Sequence, residues 1–407
     1  MGNGTVIYIG NFRLPPNNAA GQRVLNNAKL LKELGYDVML IGLNNSLDSD
    51  LETIKTKMIY DDIVTYSLPL PKNNLSWLNY KKQFNKTLEI IEKVISIKCL
   101  IMYGCPSISI FGLLLKKWAK KRDVKLLADV VEWHSVSGNN LPYKIVKKID
   151  LIYYRSYLCS KIDGVIAISK FLKSYYSNKG VPTIVLPPLV DCENKSKVDK
   201  SQSLISLIYV GTPFSSRIKN NSPENFKDRL DKVIECLNYI SEEYNLEFIF
   251  NIYGLTGREY LSAMPSHSGL LENLKTKVFF HGFVTQVEAL EKISESDFCI
   301  FFRDVNKVTT AGFPTKFSES ISCGTPVITT NTSDIKDYLL EGENGYFIDI
   351  DDTQKMTQKM SYILTLSKEH INNMKDNAFN SKLFDYRNYE ESIKDFIDGI
   401  FSKSKKI

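Results

Sequence analysis

The stretch Val6–Ile41, VIYIGNFRLPPNNAAGQRVLNNAKLLKELGYDVMLI, holds the pattern on which the fold turns. Val6 to Ile9 is an unbroken apolar run, and a loop with Gly10, Pro15, Pro16 and Gly21 follows it. Arg23 to Leu34 has helical periodicity, Gly35 closes it, and Val38 to Ile41 is a second apolar run. Strand, helix and strand in so short a space is the unit of parallel sheets, because a parallel crossover needs roughly a dozen residues and these are usually helical. Apolar runs at Cys99 to Tyr103, Lys125 to Val131 and Gly164 to Ile168, with helical segments between them, extend the pattern into one doubly wound layer.

Val181 to Pro188 carries three prolines, and Asp191 to Gln202 is polar, as a linker would be. Strand signals resume at Leu204 to Val210, Glu247 to Ile252, Lys277 to Phe280, Phe298 to Phe302 and Val327 to Thr330, with helical intervals such as Asp231 to Glu243 and Gln286 to Ser294. The reading is therefore α/β, with two Rossmann-like doubly wound parallel-sheet domains facing a central cleft. Residues 1–190 make the first and 191–384 the second. An amphipathic segment, Phe384 to Phe401, predicts a final helix over 385–404 that packs back on the first domain.

Composition sets the class. The chain has 407 residues, 43% hydrophobic and 24% charged, which suits packed cores and excludes a mainly disordered or collagen-like protein. Lys plus Arg exceed Asp plus Glu by 52 to 46, a formal +6. That mild excess suits an anionic ligand or membrane surface and is too small to argue for nucleic acid. Seven cysteines with no CxxC pair argue for reduced, buried thiols in a cytoplasm, and neither zinc nor a disulfide framework is expected. No secretory signal is visible at MGNGTVIYIG, and Cys99 to Leu115, broken by Gly and Pro, reads as strand, turn and buried helix instead of a membrane span.

The chemistry concentrates in Arg303–Thr330, RDVNKVTTAGFPTKFSESISCGTPVITT. Gly312 permits close backbone approach, Pro314 suits a first helical turn, and amides around Thr315 and Lys316 would sit at a helix amino terminus that favours anions. Lys316 adds a positive charge. Glu319, one turn beyond Thr315, places a carboxylate where vicinal ribose hydroxyls could donate to it. Phe317 and Ile321, four apart, should face the core.

This segment resembles the donor-site signature of retaining glycosyltransferases of the GT-B fold, especially the large bacterial family 4. That family has two glutamates eight positions apart around a Gly-Phe-Pro turn. Glu319 matches the second, which the resemblance implies binds ribose, and Ala311 stands in place of the first, which contacts the transferred sugar in many relatives. Asn18 to Arg23, Val165 to Ser169, Leu186 to Asp191 and Gly342 to Phe347 also resemble family segments. The family places an Arg and a Lys for the donor phosphates after the strand ending at Val210 and Gly211. Here Thr212 and Pro213 replace the Arg, Lys227 is the preferred match to the Lys, and Arg303 could supply the second charge, with Arg217 and Lys219 as substitutes. HGFV, His281–Val284, resembles the loop that brackets the base, with Phe283 and Val284 in contact. The resemblance thus implies donor binding by Gly312, Phe313, Pro314, Thr315, Lys316, Glu319, Arg303, Lys227, Phe283 and Val284.

In the first domain, Asn18, Gly21 and Arg23 resemble the small-residue loop that approaches acceptor or donor phosphate. Asp129, Glu132 and His134 end an apolar strand, where α/β ligands gather, and their side chains should face the cleft as candidate catalytic groups. Plain structural readings compete throughout: a turn with a surface glutamate, solvated lysines, or a strand-end polar group satisfying backbone. His267 and His370 stand among polar residues with no special task. The acidic triplets at Asp48–Asp50 and Asp349–Asp351 are similar to a metal-binding DxD, but their turn-like context argues against metal, and no cofactor is expected. A basic, aromatic stretch, Lys116 to Arg122 and Tyr143 to Arg155, reads as a membrane-facing surface or as solvated helix faces.

The expected activity is transfer of a sugar, with retention, from a nucleotide diphosphate sugar to a glycan or lipid-linked acceptor in surface polysaccharide assembly. The enzyme would be cytoplasmic or peripheral at the inner face of the membrane. The rivals are an inverting GT-B enzyme or sugar epimerase, and a non-catalytic nucleotide-sugar-binding partner in a glycan-assembly complex.

Overall fold

A computed structural model of the chain describes residues 3–44, 57–69, 80–104, 108–133, 141–193, 204–214 and 226–402. The chain divides into two compact units: Met1–Leu189 with Asp385–Ile407, and Val190–Phe384. His134, Arg217, Lys219, Cys105, the triplet Asp48–Asp50 and the expected linker residues 194–202 lie outside the described residues.

Unit 1 runs through β1 (Thr5–Arg13), α1 (Ala19–Glu33), β2 (Asp37–Asn44), β3 (Met58–Tyr60), β4 (Ile63–Pro69), α2 (Tyr80–Ile91), β5 (Ile97–Tyr103), α3 (Ile108–Lys121), β6 (Lys125–Val130), α4 (Leu141–Tyr153), β7 (Gly164–Ala167), α5 (Lys170–Ser177) and β8 (Thr183–Val185). A π-helical turn, Tyr154–Leu158, continues α4. Its sheet has the order β3-β4-β2-β1-β5-β6-β7-β8, all parallel except the β3–β4 pair. The middle strands are buried along most of their length because helices cover both faces, which is why the sequence shows continuous apolar runs there instead of alternation.

α1 shows how local sequence shapes this unit. Asn18 caps it by accepting from Gly21 N, and Val24, Leu25, Ala28 and Leu31 line its buried face at helical spacing. Gly35 ends it with φ +79, a conformation that an L side chain rarely adopts.

Unit 2 runs through β9 (Ile205–Val210), α6 (Leu230–Glu243), β10 (Phe248–Tyr253), α7 (Gly257–Ala263), α8 (Ser268–Asn273), β11 (Val278–Gly282), α9 (Gln286–Glu295), β12 (Phe298–Phe301), α10 (Lys307–Ala311), α11 (Thr315–Ser322), β13 (Val327–Thr329), β14 (Gly345–Phe347), α12 (Thr353–Ile363) and α13 (Lys368–Ser381). Its sheet is β11-β10-β9-β12-β13-β14, parallel throughout.

The chain end belongs to unit 1. A 3-10 turn, Tyr386–Tyr389, precedes α14 (Glu390–Ser402), so the final helix starts later than the periodicity from Phe384 suggests. Asp385 accepts from Arg387 N at 3.0 Å and turns the chain before the helix can begin. Ile393, Ile397 and Ile400 of α14 join Val6, Leu31, Cys99 and Ile101 in one core, where each buried isoleucine contributes about 1.5–3 kcal/mol.

Candidate active site

The order of the second sheet defines a position before any side chain is considered. From β9 the chain builds outward to β10 and β11 on one side, then returns to place β12, β13 and β14 on the other. The loops after β9 and β12 therefore diverge, and the crevice at their carboxyl ends is where open α/β sheets bind ligands. Gly211 follows β9 with φ +136, and a Cβ there would lie 2.9 Å from Lys316 Nζ. Gly254 follows β10, and a Cβ on it would come within 2.6 Å of Gly211 O. Side chains are excluded at both positions, so backbone lines this floor.

A buried ion network occupies the crevice. Asp228, from the loop that precedes α6, accepts from Arg303 Nε at 2.7 Å on one oxygen. Its other oxygen accepts from Lys316 Nζ at 2.6 Å and from the Tyr209 hydroxyl at 2.9 Å. Burial by itself would raise the Asp228 pKa, but the Lys316 ammonium and Arg303 guanidinium outweigh it and hold the carboxyl well below its usual range. Burial, reinforced by Asp228, pushes Tyr209 well up, so it stays a neutral donor. Two cations against one carboxylate leave a net positive charge. The Lys316 side chain keeps 14% of its surface exposed against 5% for Arg303, so Lys316 is the cation an arriving anion would meet.

The neighbouring loops are laced to this network. Arg229 N donates to Phe302 O at 2.7 Å, and the Arg229 guanidinium reaches both Asp231 and Asp304. A groove of about 690 Å³ opens at the carboxyl ends of β12, β13 and β14, lined among others by Arg303, Asp304, Thr330, Asn331, Asp349 and Lys355. That volume falls within the range of small-molecule sites.

α11 begins at Thr315, after Pro314 in extended conformation, with no side-chain cap at its amino terminus. Its first-turn amides and Lys316 thus point the same kind of charge at one end of the helix. Glu319, half-buried one turn on, accepts from Gln286 Nε2 of α9 at 2.9 Å. Gly312 is half-buried and closes α10. Phe313 instead packs into an aromatic cluster with Phe317, Tyr338 and Phe384, at ring-centroid distances of 6.0, 5.7 and 5.9 Å. Its side chain serves packing, so only its backbone is left to face a donor. Ala311 is fully buried, so the position of the missing family glutamate lies inside the protein.

Two other expectations on this unit meet a different geometry. Lys227 is exposed, and it is the next residue, Asp228, that turns inward. Arg303 is 5% exposed and spends its charge on Asp228, so it acts through that carboxylate. At the β11 end, Phe283 is 87% exposed and Val284 half-buried. His281 stacks on Tyr253 with centroids 4.4 Å apart. His267, expected among polar residues, is buried, with Nδ1 2.9 Å from the Tyr260 hydroxyl. Asp349 and Asp351 are exposed and joined by an Asp351 N–Asp349 Oδ1 bond of 3.1 Å.

In unit 1, Asp129 does not face outward as its strand-end position suggests. It pairs with Arg23 at 2.8 Å, with side-chain exposures of 0% and 2%. Asn27 and the Tyr8 hydroxyl also donate to it, and Arg23 donates to Leu186 O and Pro187 O. Two ions buried this completely need one another, which makes both bracing groups for the Leu186–Pro187 turn. Gly21 is likewise filled from within: a Cβ there would meet Arg13 O and Pro16 Cα, each at 2.8 Å. Asn18 is occupied as the α1 cap. Glu132 is exposed at the end of β6.

A family model described as "Glycosyl transferases group 1" matches residues 225–381. That span runs from the loop of Asp228 through Arg303, Lys316 and Glu319 to the end of α13. Most of unit 2 is thus similar to a group 1 glycosyl transferase domain. Solved structures similar to the chain include sucrose-phosphate synthase of Thermosynechococcus elongatus, at TM-score 0.70 and 13% identity over 98% of this chain and 100% of that one. Anabaena HepE in complex with UDP gives TM-score 0.65 and 14% identity over 97% and 100%. An E. coli protein named for trehalose-6-phosphate and bound with UDP-2-fluoro glucose gives 0.66 and 9% over 97% and 99%. At such identities these likenesses establish the fold, which is GT-B. No match was found among curated protein sequences.

Within unit 2 the main departure from sequence reasoning is Asp228. Its signal was present in FKDRLD, but a carboxylate among cations reads as a solvated pair until three elements close around it. Among the described residues, no helix is long and apolar enough to cross a membrane, and no group of three or more His, Cys, Asp or Glu is placed to hold a metal ion.

Proposed function

We propose that the protein is a retaining glycosyltransferase that moves a sugar from a nucleotide diphosphate sugar to a hydroxyl of a glycan or lipid-linked acceptor in surface polysaccharide assembly. Unit 2 would bind the donor and unit 1 the acceptor. The observation that carries this reading is the Lys316–Asp228–Arg303 network beside the uncapped start of α11, with Glu319 one turn along. A diphosphate placed against Lys316 and the first amides of α11 has its leaving charge stabilised by groups already oriented, so little reorganisation is needed as the glycosidic bond breaks. Glu319 accepts from ribose hydroxyls, and Gln286 fixes its orientation. The donor class gains support from UDP bound to the Anabaena relative and UDP-2-fluoro glucose bound to the E. coli one.

On the acceptor side, Glu132 and His134 remain the candidates that meet substrate, and Asp129, buried against Arg23, is a positioning residue. Retention rests on the resemblance: the donor phosphate takes the acceptor proton on the face from which it departs. The reading places the enzyme in the cytoplasm or at the inner face of its membrane.

Calorimetry with a panel of nucleoside diphosphates, followed by transfer assays with the matching sugars and anomeric analysis of product, tests each part. Heat from one nucleotide and a product of unchanged anomeric configuration are expected, and Glu319→Ala should weaken the binding and slow the transfer. An inverted product would replace retention by the rival GT-B chemistry. Nucleotide binding without transfer would favour the non-catalytic reading, which the buried Ala311 motivates.

A further inference from the structure

We infer that the outward face of α4 and its π-helical extension, residues 144–157, is a docking surface for an anionic phospholipid membrane. The segment buries one side only. Leu151, Tyr154 and Leu158 turn inward, with Leu158 filling the space that Gly112 of α3 leaves open. The opposite side carries Ile145, Val146, Ile149, Ile152, Tyr153 and Tyr157, with exposures between 38% for Tyr153 and 68% for Val146. A helix facing water would place polar residues at this spacing.

Charge selects the occupant. Lys144, Lys147, Lys148 and Arg155 lie on the segment, and its single acid, Asp150, is engaged by Ser109 and Lys147. α3, which packs beside it, adds Lys116, Lys117, Lys120 and Lys121 and no acid. Burial, Lys161 and Lys120 lower the Lys116 pKa against an opposing pull from Asp163, so cations crowd one another beside the segment. A second copy of the chain docked on the same face would set lysines against lysines. Apolar side chains flanked by lysines, whose stems can lie along the acyl boundary while their ammonium groups stay in the headgroups, instead match an anionic leaflet. Tyr153 and Tyr157, with rings 4.8 Å apart, have the amphipathic character of residues at headgroup level. None of this depends on the donor site, so the surface and the catalytic reading stand or fall separately.

The test is sedimentation of the full chain with vesicles of phosphatidylcholine alone and of an equal mixture of phosphatidylcholine and phosphatidylglycerol. Wild type should pellet with the mixed vesicles only, and less so at high salt. Lys144→Gln with Lys148→Gln should lower the partition coefficient about thirtyfold, since each lysine near an anionic leaflet is worth roughly a factor of five. Ile145→Ser with Ile149→Ser should lower it at least about tenfold. Melting temperatures should change little in both variants, because Ile145, Ile149 and Lys148 are exposed and Lys144 is half-buried. Equal binding to neutral vesicles, no loss in either variant, or a wild-type dimer in light scattering that the isoleucine variants dissociate would overturn the proposal.

Discussion

Lys316 and Asp228 stand 2.6 Å apart, ammonium against carboxylate, although 88 residues separate them in the chain. Asp228 draws the lysine under Gly211, at the divergence of two strand-end loops, and Arg303 and Tyr209 hold Asp228 from its other sides. The cation is thus positioned before any ligand arrives.

Replacing Lys316 by Met should lower kcat/KM by about 10²–10³, the scale of losing one oriented charge donor to a leaving group. Lys316→Arg keeps charge but not shape and should recover part of the loss. Steady-state kinetics with the preferred nucleotide sugar make the comparison.

Acid should weaken unit 2 through Asp228. Its folded pKa lies below the ordinary 3.8, so its contribution is fully present above that value and is lost as pH falls toward the folded pKa. Urea midpoints of wild type should therefore drop below about pH 4, while Asp228→Asn should be less stable at neutral pH and show a flatter acid limb. Parallel acid limbs for the two proteins would count against the network.

Glu319→Ala should cost about 1.5–3 kcal/mol of donor binding, the worth of a hydrogen bond to a charged group. Gln286→Ala leaves the carboxylate but frees its orientation and should cost less. Titration calorimetry with the nucleoside diphosphate separates the two, and an equal loss in both would mean that Glu319 acts only as a partner for Gln286.

Arg23→Ala should destabilise unit 1 by about 3–5 kcal/mol, because it strands a buried carboxylate. Nucleotide affinity, which the proposed donor site assigns to unit 2, should stay as in wild type. Denaturant unfolding and nucleotide titration on the same preparation report both quantities.

Thiol labelling of the native protein at pH 8 should leave Cys159, Cys236 and Cys299 untouched. Burial pushes each of these thiols up to about 12, so thiolate is scarce as well as shielded. Cys192, half-exposed, should react first among the described cysteines. Mass spectrometry of alkylated peptides identifies the sites.

Much of the fold was legible in order along the chain. Buried parallel strands are continuous apolar runs, and β1, β2, β5, β6 and β9 to β13 fall within a few residues of where those runs predict them. Short edge elements were not legible: β3, β8 and β14 have three residues each, too few for a period to show. Helix starts depend on caps, so Asn18 brings α1 forward to Ala19 and Asp385 delays α14.

By itself the sequence determined the strand and helix alternation, the loop and helix from Gly312 to Glu319, and the match to group 1 glycosyl transferases, because each is written in residues close together in the chain. Only the tertiary structure decided which charges act. Asp129 and Arg23 look like strand-end and loop polar groups, yet they neutralise one another inside unit 1. Asp228 looks like one acid in a mixed run, yet it gathers Lys316, Arg303 and Tyr209. The reason is that a charge's role depends on its desolvation and its partners, and both are set by elements that meet across tens of residues of chain.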